Sequence, residues 1–173
     1  MNMPVVSFVG AGPGDPELIT VKGQNLLLSA DVLIYAGSLV NPTLVSESPA
    51  PVKLDSWGMS LAQLIPAMVI PAREGKRVVR LHSGDPSLYG AIIEQMELLH
   101  NEGIATQVIP GVSSMFGGAA ALQAQLTLKG ISESVIITRP AGKTLEHDQI
   151  RELSSHLTTM VIFLGTEQLE EVL

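Results

Sequence analysis

No cysteine occurs among the 173 residues. Disulfides, thiolate metal centres and cysteine nucleophiles are excluded together. Aromatic residues are scarce, at 3%, so the core must be built from aliphatic side chains. Basic residues are also few. Ten Lys and Arg against seventeen Asp and Glu give a formal net charge of −7. Nucleic acid is not expected as a partner, because phosphate binding needs a basic surface and no Lys/Arg cluster is present. His82, His100, His147 and His156 lack the spacing of metal ligands, and no metal site is expected. No apolar run is long enough to span a bilayer, and no basic segment opens the chain. The expectation is a soluble, cytoplasmic protein without a membrane partner.

What is present is apolar. Hydrophobic residues make up 46% and charged residues 16%, a composition that supports a dense core. Short β-branched runs alternate with helical patterns. Strands are expected at Pro4 to Gly10, Val32 to Ala36, Arg77 to His82, Thr106 to Ile109, Val135 to Thr138 and Met160 to Leu164. Helices are expected from Thr20 to Ala30, from Ser60, from Asp85-Pro86, from Ser113 or Ser114, and near Glu146 to His156. Ser60 and Gln63 fit a capping box. Pro66 and Pro71 predict a kink or break in the helix that follows. Residues 41–58 read as irregular. The alternation gives an α/β class with a mainly parallel N-terminal sheet, residues 1–130, followed by the start of a second α/β domain, residues 131–173. The chain is expected to stop short of completing that domain. In that state it is expected to bind its cofactor poorly.

Three strands end in glycine-rich turns, after Val9, His82 and Ile109. In open α/β sheets ligands collect at such ends. The first turn, Gly10-Ala-Gly-Pro-Gly-Asp-Pro16, departs from the dinucleotide fingerprint because Asp15 stands where its last glycine belongs. Pro13 and Pro16 remove amide donors, and Tyr35-Ala36-Gly37 lacks an acidic residue for a ribose. By itself this loop is equally a tight strand-to-helix turn. Asp85 in the second loop is a helix cap, and Gly84 lets backbone approach a ligand. Pro110-Gly-Val-Ser-Ser114 is a third turn, carrying hydroxyls.

Taken together, GAGPGDPELIT, AGSLVNP, RLHSGDPSLYGA and IPGVSS, in that order and spacing, resemble the tetrapyrrole (corrin/porphyrin) methylases. The likeness runs to Phe163-Leu-Gly-Thr166. The second and third segments are most similar to the branch that methylates carbon 11 of precorrin-4 or cobalt-precorrin-4. The resemblance implies an S-adenosylmethionine-dependent methyltransferase of cobalamin biosynthesis, releasing S-adenosylhomocysteine. It also implies a homodimer, a tetrapyrrole substrate and no metal for methyl transfer. The cofactor contacts it implies are Pro13, Ser83, Gly84, Asp85, Ser113, Ser114 and Leu164. Asp15 is a candidate base, with a turn-forming role as the alternative. Arg80, Arg139, Lys22, Lys53 and Lys143 are candidates to meet substrate carboxylates, with surface or structural ion pairing the alternative for Arg80 and Arg139. His82, beside the second loop, is a candidate to touch substrate, and Tyr89 reads as core. Other members of the superfamily act on other ring positions, on ribosomal RNA or on diphthamide precursors. A non-catalytic Rossmann-like nucleotide-binding module also stays open.

Overall fold

The computed structural model describes residues 4–142 and 144–172, so Lys143 lies outside them. The chain divides into two compact units, Met1–Gly117 and Gly118–Leu173. The division falls ahead of the expected boundary at residue 130.

The first unit is a five-stranded parallel sheet in the order β3-β2-β4-β1-β5. Its strands are β1 (Val5–Gly10), β2 (Val32–Tyr35), β3 (Val52–Asp55), β4 (Val78–His82) and β5 (Ala105–Ile109). The pleat sends alternate residues to opposite faces. Val6, Phe8, Ile34 and Val78 join the core under α3 (Leu61–Arg73) and α4 (Ile92–Asn101). Val9, Leu33, Val79 and Leu81 join the opposite core under α1 (Val21–Leu28) and α2 (Pro42–Glu47). The connections after β1 and β4 therefore leave onto opposite faces. The two strands are neighbours, so a topological switch point falls between their carboxyl ends.

Local chemistry accounts for the helix starts. The Thr20 hydroxyl accepts a hydrogen bond from Gly23 N at 3.1 Å and caps α1. Ser60 and Gln63 form the expected capping box, with Ser60 N donating to Gln63 Oε1 at 3.0 Å. Helix α3 then runs unbroken through both Pro66 and Pro71, so of the expected kink or break the break does not occur. An interior proline costs roughly 3 kcal/mol. Leu64, Ile65, Met68, Val69 and Ala72, all buried along one side, hold the helix together regardless.

Residues 41–58 are not irregular. Asn41 caps α2, whose first position is Pro42, and β3 pairs with β2 as an edge strand. The helix expected from Asp85-Pro86 begins only at Ile92. Tyr89 and Ala91 take left-handed φ values of 54° and 48°, which no helix can contain. Tyr89 is 44% exposed and is not core.

The second unit holds a parallel pair, β6 (Val135–Thr138) and β7 (Thr159–Ile162). With it go the last residues of α5 (Ser114–Ala121), α6 (Ile150–Ser154) and α7 (Leu169–Val172). Asp148 Oδ2 accepts from Ala141 N at 2.7 Å and Ser132 Oγ accepts from Thr159 N at 2.7 Å. Among the described residues no helix is long and apolar enough to cross a membrane.

Leu27 is fully buried between α1 and the sheet. Leu27→Ala is expected to destabilise the first unit by about 2–5 kcal/mol. Urea denaturation checks this, and a loss below about 1 kcal/mol would show that α1 is not anchored through this face.

Candidate functional site

Strands β4, β1 and β5 lie side by side, with Gly10 in register with His82 and Val9 with Ile109. Their three following loops are thereby brought together at one end of the sheet. Ala11 N donates to the His82 carbonyl at 2.7 Å. Gly84 N donates to Gly12 O at 2.8 Å, and Gly12 N donates back to Gly84 O at 3.3 Å. The approach leaves no room for side chains. A Cβ on Gly10 would sit 2.6 Å from Gly111 Cα and from the Gly84 carbonyl oxygen, and one on Gly111 would lie 2.2 Å from that same oxygen.

Asp85 fastens the second loop to the third. Its Oδ2 accepts from Gly111 N at 2.9 Å, while Oδ1 accepts from the Ser87 amide at 2.8 Å and from the Ser87 hydroxyl. Partial burial pushes the Asp85 carboxyl up. The Ser87 hydroxyl, the Gly111 amide and the Ser87 amide outweigh it and hold the group below the usual carboxylate range. In the third loop Ser113 is buried, and its Oγ accepts from Met115 N at 3.4 Å at the start of α5. Ser114, next along, is exposed. Pro13 in the first loop lies under α5, where a Cβ on Gly117 would come within 2.7 Å of the proline ring. Asp15 is exposed and its Oδ1 accepts from Glu17 N at 2.9 Å, starting a short 3-10 turn, Pro16–Leu18.

Pro13, Ser83, Gly84, Asp85, Ser113 and Ser114 are thus gathered at the carboxyl ends of three adjacent strands, with Asp15 on the first of those loops. Leu164 belongs to the second unit. It sits in a bend beyond β7 rather than in the strand, with φ 59° and 63% exposure. Sequence reasoning missed Asn41. Its Nδ2 donates to Gly14 O at 2.7 Å and its Oδ1 caps α2, so it braces the first loop from the neighbouring connection. The Asn-Pro pair was the available signal. The cationic candidates disperse. Arg139 donates to Thr144 Oγ1 at 2.7 Å, Lys53 reaches Ser46 O at 3.4 Å, and Lys22 is exposed on α1. Arg80 and His82 are buried in β4. Among the described residues no cluster of His, Asp or Glu is placed to hold a metal.

A parallel sheet with interlocked glycine loops at its switch point defines an open α/β protein of the kind whose ligands collect at that crevice. Its loops offer amides, hydroxyls and carboxylates but no Lys or Arg. A family model for the Tetrapyrrole (Corrin/Porphyrin) Methylases matches residues 5–173, and the chain belongs to that family. A Methanocaldococcus jannaschii protein named cobalt-precorrin-4 C(11)-methyltransferase is 50% identical over 170 residues, spanning 96% of this chain and 66% of its own length. The chain therefore spans just under two thirds of that relative. The X-ray structure of a cobalamin biosynthetic enzyme, cobalt precorrin-4 methyltransferase, is similar with TM-score 0.92 and 44% identity, covering 97% of this chain and 72% of the other. Uroporphyrin-III C-methyltransferase from Thermus thermophilus, complexed with S-adenosyl homocysteine, is similar with TM-score 0.77 and 28% identity. That match covers 94% of this chain and 67% of the other.

Two outcomes test the interlock. Gly111→Ala is expected to destabilise the first unit by about 1–3 kcal/mol, because its Cβ meets backbone rather than a movable side chain. Gly118→Ala, in open space on α5, is expected to be neutral or stabilising by up to about 1 kcal/mol. Equal melting temperatures for the two variants would refute the clash. Asp85 gives a pH signature. Its folded pKa lies below the ordinary value, so its stabilisation is complete above about pH 4 and is lost as pH falls through the folded value. Acid titration should show a smaller low-pH loss in Asp85→Asn than in wild type, because Asp31 and Asp55, also held below the ordinary range, lose theirs in both.

Proposed function

We propose that this chain carries S-adenosylmethionine-dependent methyl transfer to carbon 11 of precorrin-4 or cobalt-precorrin-4, in cobalamin biosynthesis. The observation that carries the reading is the cation-free loop cluster. A dinucleotide or nucleotide phosphate wants a positive cradle or free amides. These loops hold two carboxylates, Asp15 and Asp85, no cation, and four prolines, Pro13, Pro16, Pro86 and Pro110, that lack amide donors. A sulfonium cofactor fits them, because it brings positive charge and no phosphate. Similarity to proteins named for cobalt-precorrin-4 methylation supports the substrate, and the relative complexed with S-adenosyl homocysteine supports the cofactor.

Pro13, Ser83, Gly84, Asp85, Ser113, Ser114 and Leu164 are the residues proposed to hold S-adenosylmethionine. When bound, it supplies a methyl group already activated on a cationic sulfur. The protein's task is then to align donor and carbon nucleophile, and such positioning supplies roughly 7–11 kcal/mol in favourable cases. Gly84 suits close approach. At φ 59° its Cβ position is bounded only by Ser113 Cα and Ser114 N, each 3.7 Å away. Ionised Asp85 keeps that turn clamped to Gly111. Asp15, an exposed carboxylate on the first loop, is the proposed acceptor of the proton lost after methylation. A cytoplasmic homodimer completes the reading.

Calorimetric titration with S-adenosylhomocysteine and with NAD tests it. Preferential binding of S-adenosylhomocysteine is expected, and preference for NAD would end the methyltransferase reading. Gly84→Ala should lose affinity for S-adenosylhomocysteine by about tenfold or more, against a folding cost of roughly 1–2 kcal/mol from the left-handed backbone. Unchanged affinity would reduce Gly84 to a structural turn.

A further inference from the structure

Strand β4 buries a charge that the three loops do not use. Alternation places Arg80 and His82 with Val78 on the face covered by α3 and α4. Arg80 is 6% exposed and His82 9%. The His82 ring lies 5.8 Å from that of Phe8, inside the same core. Arg80 Nε, Arg80 Nη1 and His82 Nε2 are all shut away from solvent without a hydrogen-bond partner. Among the described residues no carboxylate forms a contact ion pair with Arg80. Asp55 acts on it through space, while its own Oδ1 accepts from the Gly37 and Trp57 amides.

Burial pulls the Arg80 pKa down to about 10 and the Asp55 charge offsets part of that, so the guanidinium stays charged at neutral pH. Burial first, and Arg80 second, hold His82 down at about 3, so its imidazole is neutral there. A neutral imidazole can present an N–H at Nε2. Two side chains one pleat repeat apart therefore present orphaned donors beside a net positive charge. Buried donors without acceptors are rare in folded proteins and call for an explanation. An unpaired buried guanidinium is costly to the fold.

We propose that Arg80 and His82 form an anion subsite on the α3/α4 face of β4 that takes a carboxylate arm of the substrate. The proposal rests on the tetrapyrrole reading above, since the precursors of corrins carry carboxylate side chains. It also resolves a mismatch of charge. The chain is acidic, its three loops lack cations, and its exposed cations are scattered. A buried Arg supplies local positive charge in a fork that matches a carboxylate with two parallel hydrogen bonds. His82 Nε2 adds a donor that brings no second charge.

The test is calorimetry on the chain with cobyrinic acid, a corrin ring with free carboxylate arms, with its fully methyl-esterified form, and with acetate. Wild type should bind the acid about tenfold or more tightly than the ester, as expected where charge-assisted hydrogen bonds are lost. Arg80→Met should abolish that preference yet raise the melting temperature, because an unpaired buried charge is removed. Arg80→Lys should keep part of the preference, having the charge without the fork. An Arg80→Met chain that still prefers the acid overturns the subsite, as does one that loses stability with the preference intact. If Arg80→Met does not fold, wild-type melting decides: the acid must raise it and the ester must not. Acetate binding as tightly as cobyrinic acid would make this a free-anion site and overturn the substrate assignment. S-adenosylhomocysteine titrated in parallel separates the two readings. Wild-type preference for NAD over S-adenosylhomocysteine sinks the methyltransferase reading, whereas preference for S-adenosylhomocysteine without acid-over-ester preference sinks only the subsite.

Discussion

The architecture of the site depends on one contact, the meeting of Gly10, Gly84 and Gly111 at the carboxyl ends of β1, β4 and β5. Backbone touches backbone there, and a Cβ on Gly10 or Gly111 would fall within 2.6 Å of main-chain atoms. That approach lets Gly12 and Gly84 exchange hydrogen bonds and lets Asp85 reach the Gly111 amide. With the loops joined mostly by main chain, the Asp85 carboxylate is the side chain that fastens the second loop to the third. The residues proposed to serve the cofactor and the chemistry flank these glycines: Pro13, Asp15, Ser83, Asp85, Ser113 and Ser114. The same constraint explains why Pro13 is tolerated in the first loop. The amide it lacks is not one that the interlock uses, and its ring fills the space left by Gly117.

Much of this was legible in the amino-acid sequence, because strand, glycine turn and helix cap are local signals. Four of the five strands of the first unit, β1, β2, β4 and β5, fell within a residue of their observed bounds. Thr20 and Ser60 start their helices as their chemistry predicts. What failed was set by tertiary context. Val52 and Lys53 are exposed, so β3 shows no apolar run, and only its pairing with β2 makes it a strand. Pro66 and Pro71 are local helix breakers overruled by a buried face. The left-handed backbone at Tyr89 and Ala91 has no signal in residue type, since neither is a glycine. A Cβ on Gly90 would fall 2.1 Å from the Pro86 carbonyl oxygen, so the chain curls tightly on itself there before α4 begins.

The candidate site was legible in part for the same reason. Its loop residues follow from pattern, whereas the face on which Arg80 lies follows from register. The strand-end position of Arg80 made it a candidate for carboxylates. Its burial and its missing partners emerge only when β4 is set between β1 and β2. Asn41 escaped notice because its brace on Gly14 spans 27 residues of sequence.

A methyl donor with a cationic sulfur and a substrate with many carboxylates make opposite electrostatic demands. On the proposed function and the proposed subsite, strand β4 and the turn after it would meet both within six residues. Ser83, Gly84 and Asp85 extend past the sheet into the glycine interlock, where no cation intrudes. Arg80 and His82 lie before the strand's end, inside the α3/α4 face, where low dielectric strengthens a single charge and Asp55 damps it without contact. Placing the guanidinium within the sheet also keeps it rigid, since a strand side chain packed on both sides has few rotamers open to it. On this reading, changes at positions 83–85 act on the cofactor, and changes at positions 80 and 82 act on the substrate. The peptide backbone between them carries the alignment that the chemistry requires.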